Sequence, residues 1–433
     1  MTDGGAVRID PAAFEACARD DRELAYRLRG FTATLRLPFT EPALDVMFEE
    51  GRVVAVQLAG GGAALQYQGA DAFWRGFFQK DPRRPGYESM AMGIALGVRV
   101  TGADAATVAS YYGGFSRLLD VARNTVLGGD QAVQVADGHP FRGTDTAVGR
   151  YAYVTVERVE ARIFYEEAGT GDIPLLLQHT AGGDSRQYRH ILADPEVQKR
   201  FRIIAYDLPY HGRSLPPFGV NWWAQDYKPN KHSLMSWVVG IADALKLDRP
   251  VFMGCSVGGN LALDLAAHHG DRFSAFIALN GWYAGPAADD AVNDKFRHPR
   301  LSSDHYAARC LGITGPFAPE AFRQEVYWNY RSNAPGVYAG DNDYFVSDHD
   351  LSKDGHLIDA AKTPVYLLVG EYDPAAVNET HGGPAAARNI PGLEFRIMKG
   401  LSHFAPTDDP LAFRRELLPV ADEILARLQE GRA

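Results

Sequence analysis

The chain has 433 residues, a net charge of -10 and three cysteines, Cys17, Cys255 and Cys310. Its length favours two domains over one, and an acidic balance without a long basic run argues against nucleic acid and anionic membranes as partners. Cysteines so few and so far apart fit reduced thiols in a cytoplasmic protein better than a disulfide framework.

The opening stretch, MTDGGAVRIDPAAFEACARDD, lacks the basic-then-apolar pattern of a signal peptide. No apolar run approaches the ~20 residues of a membrane helix. ATLRLPF, ALDVMFEEGRVVAVQLA and AALQYQGA then alternate apolar with polar residues, which predicts antiparallel strands. ADAFWRGFFQ and DAATVASYYGGFSRLLDVARNTV have helical spacing. Together they predict a small α+β domain over residues 1–130, whose Phe73, Trp74, Phe77 and Phe78 either fill its own core or pack on another surface. Residues 127–150 are rich in Gly, Asp and Thr, and a linker is placed at 131–149.

From residue 150 the rhythm changes. RYAYVTVERVEARIFYEEAG suggests a strand pair, followed by the near-continuous apolar runs IPLLLQH, RIIAYD, PVFMG, FSAFIALN, PVYLLVG and EFRIMKG. Helical stretches at 185–200, 232–245, 257–268 and 410–428 separate most of them. Strands apolar on both faces and alternating with helices predict an α/β, doubly wound, mainly parallel sheet. In such sheets the reactive groups sit beyond the carboxyl ends of the strands.

One serine occupies such a place. In FMGCSVGGNLAL, Ser256 lies between a strand and a helix, flanked by Gly254 and Gly258. Glycines there let strand and helix pass closely while the serine stands out in a strained turn. The plainer alternative is a glycine-rich turn with a serine cap. A serine hydroxyl is a weak nucleophile and needs a base that is itself oriented by an acid. Two later strands end in such groups: Asp373 in PVYLLVGEYDP and His403 in FRIMKGLSHFAP. Glu371 is a rival acid, but Asp373 lies further into the loop and has more room to turn toward a histidine. A serine also argues against the carboxylate-nucleophile route of epoxide and haloalkane hydrolysis.

With QHTAGG, DLPYHGRS, GCSVGG, VGEYDP and GLSHFAP in order, the chain from Tyr151 onward resembles the α/β-hydrolase fold family. The resemblance implies a serine hydrolase with a catalytic domain over residues 150–433, a nucleophile elbow and a helical cap domain at about 282–361. It also implies an oxyanion hole built from the amide of Val257 and one from the loop after QH, by position that of Ala181, with Thr180 as the alternative. Thr180 stands where many members carry glycine, and its hydroxyl is also free to meet substrate. Asp184 and Arg186 read first as a helix cap, and His211 as an orienting core residue. In the insert, Trp282, Tyr283, Tyr327 and Trp328 are candidates for an apolar or aromatic substrate pocket, and equally for the cap's own core. The stretch SDHDLSKDGH lacks the spacing of a calcium loop and reads as solvated. More faintly, the first segment is similar to the sterol carrier protein-2-like fold, which implies lipid binding or an oligomer interface.

The expectation is therefore a serine esterase acting on a small-molecule carboxylic ester through Ser256, His403 and Asp373, without cofactor or metal. A C–C bond hydrolase or lactonase would use the same residues, and a binding protein with a relic triad is the alternative of another class. A homo-oligomer through the first domain is a further expectation.

Overall fold

The computed structural model describes residues 7–62, 65–80, 85–128, 144–285, 295–298 and 301–430. The chain divides into two compact units, one of residues 1–133 with 298–316 and one of 134–297 with 317–433. Most of the expected linker, residues 131–143, lies outside the described residues, and its last two, Val148 and Gly149, already belong to a strand.

The first unit holds β1 (Ala33–Leu37), β2 (Leu44–Glu49), β3 (Arg52–Leu58), β4 (Leu65–Gln68) and β5 (Arg99–Thr101) in the order β3-β2-β1-β4-β5. The expected antiparallel arrangement holds except at one pair: β1 and β4 run parallel. Alternation reports which face a residue lines, not the direction of the neighbouring strand. The helix Asp71–Phe77 carries Phe73, Trp74 and Phe77 into the core, with Phe78 just beyond it. Trp74 stacks on Phe39 at 4.3 Å and Phe73 on Phe77 at 5.6 Å, so these aromatics form this unit's own core.

The second unit is built on β6 (Val148–Val156), β7 (Val159–Ala168), β8 (Ile173–Gln178), β9 (Phe201–Tyr206), β10 (Val251–Cys255), β11 (Ala275–Leu279), β12 (Val365–Gly370) and β13 (Glu394–Met398). Their order is β13-β12-β11-β10-β8-β9-β7-β6. All pairs from β13 to β9 are parallel, while β7 runs antiparallel to both β9 and β6. The apolar runs follow from double-sided burial: every residue of β10, β11 and β12 is buried. Each buried Val, Leu, Ile or Phe removes apolar surface worth ~1.5–3 kcal/mol, so this sheet is the rigid base of the unit.

Helices Lys231–Ala244 and Val257–His269 supply the core on one face, and Pro410–Glu430 on the other. The helix expected over 185–200 is broken in three, at Ser185–Tyr188, Arg189–Ala193 and Pro195–Arg200. Asp194 is extended because Pro195 follows it, and its carboxylate caps the last piece. The long insert is shared out: the helix Ser303–Leu311 belongs to the first unit, whereas Glu320–Arg331 and Pro335–Asp343 belong to the second. Among the described residues no helix is long and apolar enough to cross a membrane.

Candidate active site

The turn from β10 into Val257–His269 places Ser256 at φ 59° and ψ -114°, a left-handed backbone that a non-glycine residue rarely takes. The surroundings enforce it. A Cβ on Gly254 would lie 2.2 Å from the carbonyl oxygen of Gly258, and one on Gly258 would lie 2.5 Å from that of Gln178. Both contacts are with backbone and cannot yield, so only glycine lets β10, its helix and β8 converge. The Ser256 amide donates to the Leu279 carbonyl at 2.8 Å, and its carbonyl accepts from Asn260 at 2.9 Å. These bonds hold the residue while its hydroxyl forms no hydrogen bond with a described residue.

Asp373 and His403, each beyond the end of its own strand, meet. His403 Nδ1 lies 2.6 Å from Asp373 Oδ2, and the amides of Ala375 and Ala376 each donate to Oδ1 at 3.2 Å. A carboxylate so placed accepts a hydrogen bond from Nδ1–H, which keeps the proton on Nδ1 and leaves the lone pair on Nε2. Glu371 is engaged elsewhere, by Lys399 and by the Gly400 amide, each at 3.0 Å. The Gly400 amide, helped by Lys399, holds the Glu371 carboxyl below its usual range. The His403 loop is held beside the elbow, because its carbonyl accepts from Cys255 Sγ at 3.1 Å.

Between Thr180 and Gly183, three of four amides are spent. Thr180 donates to Gln187 Oε1 at 2.9 Å, Gly182 to Asp341 Oδ2 at 2.7 Å and Gly183 to the Thr180 carbonyl at 3.1 Å. Ala181 N–H has no such acceptor among the described residues. Thr180 is therefore corrected as the alternative oxyanion donor: Gln187 already holds its N–H. Its hydroxyl meets the Tyr330 hydroxyl at 2.5 Å.

Behind this loop lie two histidines with rings 4.6 Å apart. His179 Nε2 accepts from the Leu208 amide while Nδ1 faces the Thr180 carbonyl, a neutral imidazole. Burial, assisted by nearby His211, pushes its pKa down to about 4. His211 presents Nδ1 to the Pro209 carbonyl at 2.9 Å and Nε2 to Asp341 Oδ2 at 2.8 Å. Burial opposes its charge, but Asp341 outweighs that and lifts its pKa above the ordinary imidazole value. Asp341 also accepts from the Tyr227 hydroxyl at 3.1 Å.

The insert residues fall in different places. Trp282 is buried, stacks on Phe345 at 4.1 Å and donates its backbone amide to Asn260 Oδ1 at 3.0 Å. Tyr283 packs against the core by the helix Val257–His269, and Tyr327 is buried beside Arg331. Trp328 is 63% exposed and borders a cavity with Arg186, Arg189 and Glu325 that contains neither Ser256, Asp373 nor His403. That exposure places Trp328 outside the cap's own core, while Tyr327 and Tyr330 of the same helix are buried. Asp184 does cap the turn at Ser185, accepting from the Arg186 amide at 3.0 Å. The solvated reading of SDHDLSKDGH fails at His349, which is 1% exposed and bonds Asp264 Oδ2 and the Trp282 carbonyl, each at 3.0 Å. Asp264, buried within the helix that begins at the elbow, gave no local sign of needing that partner.

Sequence reasoning missed Gln187, Asn280 and Asp341. Asn280 follows β11 at φ 51°, a position asparagine tolerates, and an Asn that closes the apolar run FSAFIALN is the one sequence signal that could have drawn attention to it. Among the described residues no group of three or more His, Cys, Asp or Glu is placed to hold a metal ion.

A doubly wound sheet with a serine elbow and an acid–imidazole pair beyond later strands defines a hydrolase-type architecture. Residues 173–410 match the alpha/beta hydrolase fold family, and the chain belongs to that family. It is 26% identical over 286 residues to a 2-hydroxy-6-oxononadienedioate/2-hydroxy-6-oxononatrienedioate hydrolase of Burkholderia vietnamiensis, covering 64% of this chain and 96% of that one. Among solved structures it is similar to a thermophilic esterase from Thermogutta terrifontis, with a TM-score of 0.53 and 19% identity over 64% of this chain and 99% of that one. The enol-lactonase from Burkholderia xenovorans aligns with a TM-score of 0.52 and 23% identity over 63% and 99% of the two chains. These structural likenesses concern the fold. Relatives of this chain are hydrolases, and it is an enzyme of that superfamily.

Proposed function

We propose that the protein is a serine hydrolase that cleaves a carboxylic ester through an acyl-enzyme. Ser256 Oγ attacks the carbonyl carbon, and His403 Nε2 takes its proton and returns it to the leaving alkoxide. Asp373 holds the imidazole through Nδ1, and the amides of Val257 and Ala181 receive the oxyanion. Water, activated by the same imidazole, then releases the acid. The observation that carries this reading is the 2.6 Å Asp373–His403 bond beyond strands that follow the Ser256 elbow. Stoichiometric labelling of Ser256 by a fluorophosphonate tests it, and a chain that stays unlabelled is not a serine hydrolase.

A second reading is C–C bond hydrolysis of a ring-cleavage product, supported by the relative of that activity that matches over most of its own length. Lactone opening would use the same groups. Turnover of a vinylogous diketone with none of simple esters decides for the C–C reading. We place the substrate pocket beneath the insert segment 317–361, with Trp282, Tyr283, Tyr327 and Trp328 as candidates for its walls. The first unit is read as an oligomerising or packing module, with the lipid-carrier likeness as the alternative; light scattering distinguishes a dimer from a monomer. A cytoplasmic site suits Cys17, Cys255 and Cys310, none of which is in a disulfide.

A further inference from the structure

We infer that Asn280 is a positioning residue that sets the acid and base loops of the active site in register; this rests on the serine-hydrolase reading. Asn280 follows β11, is 1% exposed, and forms no part of the proton path. Its side chain reaches both later loops at once. Oδ1 accepts from the Gly370 amide at 2.7 Å, three residues before Asp373. Nδ2 donates to the carbonyls of Ser402 at 3.1 Å and His403 at 3.0 Å. Its own amide donates to the Leu368 carbonyl at 2.9 Å, which fixes the backbone to β12.

All three hydrogen-bonding positions that the side chain turns to these loops are filled, and in one orientation only. Turning the amide over would point oxygen at two carbonyls and NH2 at an N–H, so the geometry is unique to this rotamer. The residue type is equally constrained. At φ 51° a β-branched or bulky residue is strained, whereas Asn and Gly are tolerated. Aspartate has the shape but lacks the donor, and glutamine is one carbon too long. The His403 carbonyl takes a second donor, Cys255 Sγ, from the residue before the nucleophile. One carbonyl thus ties the base to the nucleophile's strand through Cys255 and to the acid's strand through Asn280. Catalysis by a serine, an imidazole and a carboxylate on three separate strands depends on their mutual placement to within about 1 Å, where a misplacement costs on the order of 10²-fold in rate.

The test uses the full chain and saturation kinetics with an alkyl fluorophosphonate, in which the serine oxygen bonds phosphorus as fluoride departs. Asn280→Asp keeps shape and the Gly370 contact but faces oxygen to two carbonyls. Asn280→Gly keeps the backbone and deletes the side chain. In both, the labelled fraction is expected to reach one per chain, with the maximal labelling rate down by on the order of 10–100-fold and the half-saturating probe concentration changed by less than about threefold. Cys255→Ala, which removes the weaker, thiol donor and leaves Asn280 Nδ2 on the His403 carbonyl, should slow labelling by less than about threefold. A purely structural Asn280 would lower the labelled fraction or the melting temperature while the labelled molecules react at the wild-type rate. That result, in whichever of the two variants folds, overturns the inference alone. Failure of wild-type Ser256 to label overturns the serine-hydrolase reading and this inference with it.

Discussion

His211 Nε2 and Asp341 Oδ2 lie 2.8 Å apart with neither side chain more than 1% exposed. The aspartate comes from the insert helix Pro335–Asp343 and the histidine from the loop after β9. The same carboxylate oxygen accepts the Gly182 amide, next to the one amide of that loop left for substrate. Removing one partner of a buried pair leaves the other uncompensated, at ~3–5 kcal/mol. Asp341→Asn is therefore expected to lower the melting temperature and the labelling rate of Ser256 together. A stable variant with wild-type labelling would show that the pair neither supports the fold nor orients the loop.

The two neighbouring histidines give opposite pH slopes. His179 titrates at about 4 in the folded chain, so between that value and about 6.5 the unfolded chain binds the extra proton and stability rises with pH. His211 is raised, so its stabilisation is complete below about 6.5 and is lost as pH climbs through the higher folded value. Asp341, Tyr227, Asp207 and His179 are the titratable groups that face it. In denaturation at a series of pH values, the stability gap between wild type and His211→Gln should be widest below about pH 6.5 and should narrow above it. A gap that widens with pH contradicts the assignment.

Ser256→Ala should fold as the wild type does and lose turnover by a factor on the order of 10⁴ or more. The comparison is kcat on the substrate found by screening esters, lactones and vinylogous diketones. Retention of more than about a tenth of wild-type kcat would remove Ser256 from the nucleophile role.

Gly258→Ala tests the elbow itself. Its Cβ would sit 2.5 Å from the Gln178 carbonyl oxygen, so β8 and the helix must separate. The expected cost is ~1–3 kcal/mol or more, with the labelling rate falling as Ser256 moves. A variant with unchanged melting and labelling would mean that the close approach is not required.

His349→Ala removes one buried partner of Asp264, which keeps the Tyr344 hydroxyl at 2.7 Å and Lys231 at 3.5 Å, in a stretch without catalytic groups. A loss of ~1–3 kcal/mol in chemical denaturation is expected. Surface behaviour, with a change under ~0.5 kcal/mol, would restore the solvated reading of that loop.

The sheet was legible because its strands are buried on both faces and so are written as unbroken apolar runs; each run of the second segment became a strand. Ser256, Asp373 and His403 were legible for a related reason, since each follows such a run. What was hidden is what depends on partners distant in sequence. Nothing near Asp341 or His349 announces that His211 or Asp264 awaits it. Nor does the sequence near Thr180 reveal that Gln187 captures its amide. The parallel β1–β4 pair was hidden because pleating encodes faces and not directions. The insert was legible as an interruption, but not its division between two units.

That division has a consequence for how the chain is made. The first unit is assembled from residues 1–133 and 298–316, with the helix Ser303–Leu311 packed against Tyr112–Leu127. On the ribosome, its sheet must wait for more than 160 further residues before this last helix emerges, 133 to 298 being the gap. In the meantime the side of Tyr112 that meets His305 at 5.2 Å is uncovered. Cutting the gene at the linker would strand the helix in the other direction, leaving the buried Tyr306, Ala307 and Cys310 without their cover. The first unit is thus discontinuous in sequence, and a clean excision of it must take residues 298–316 with it.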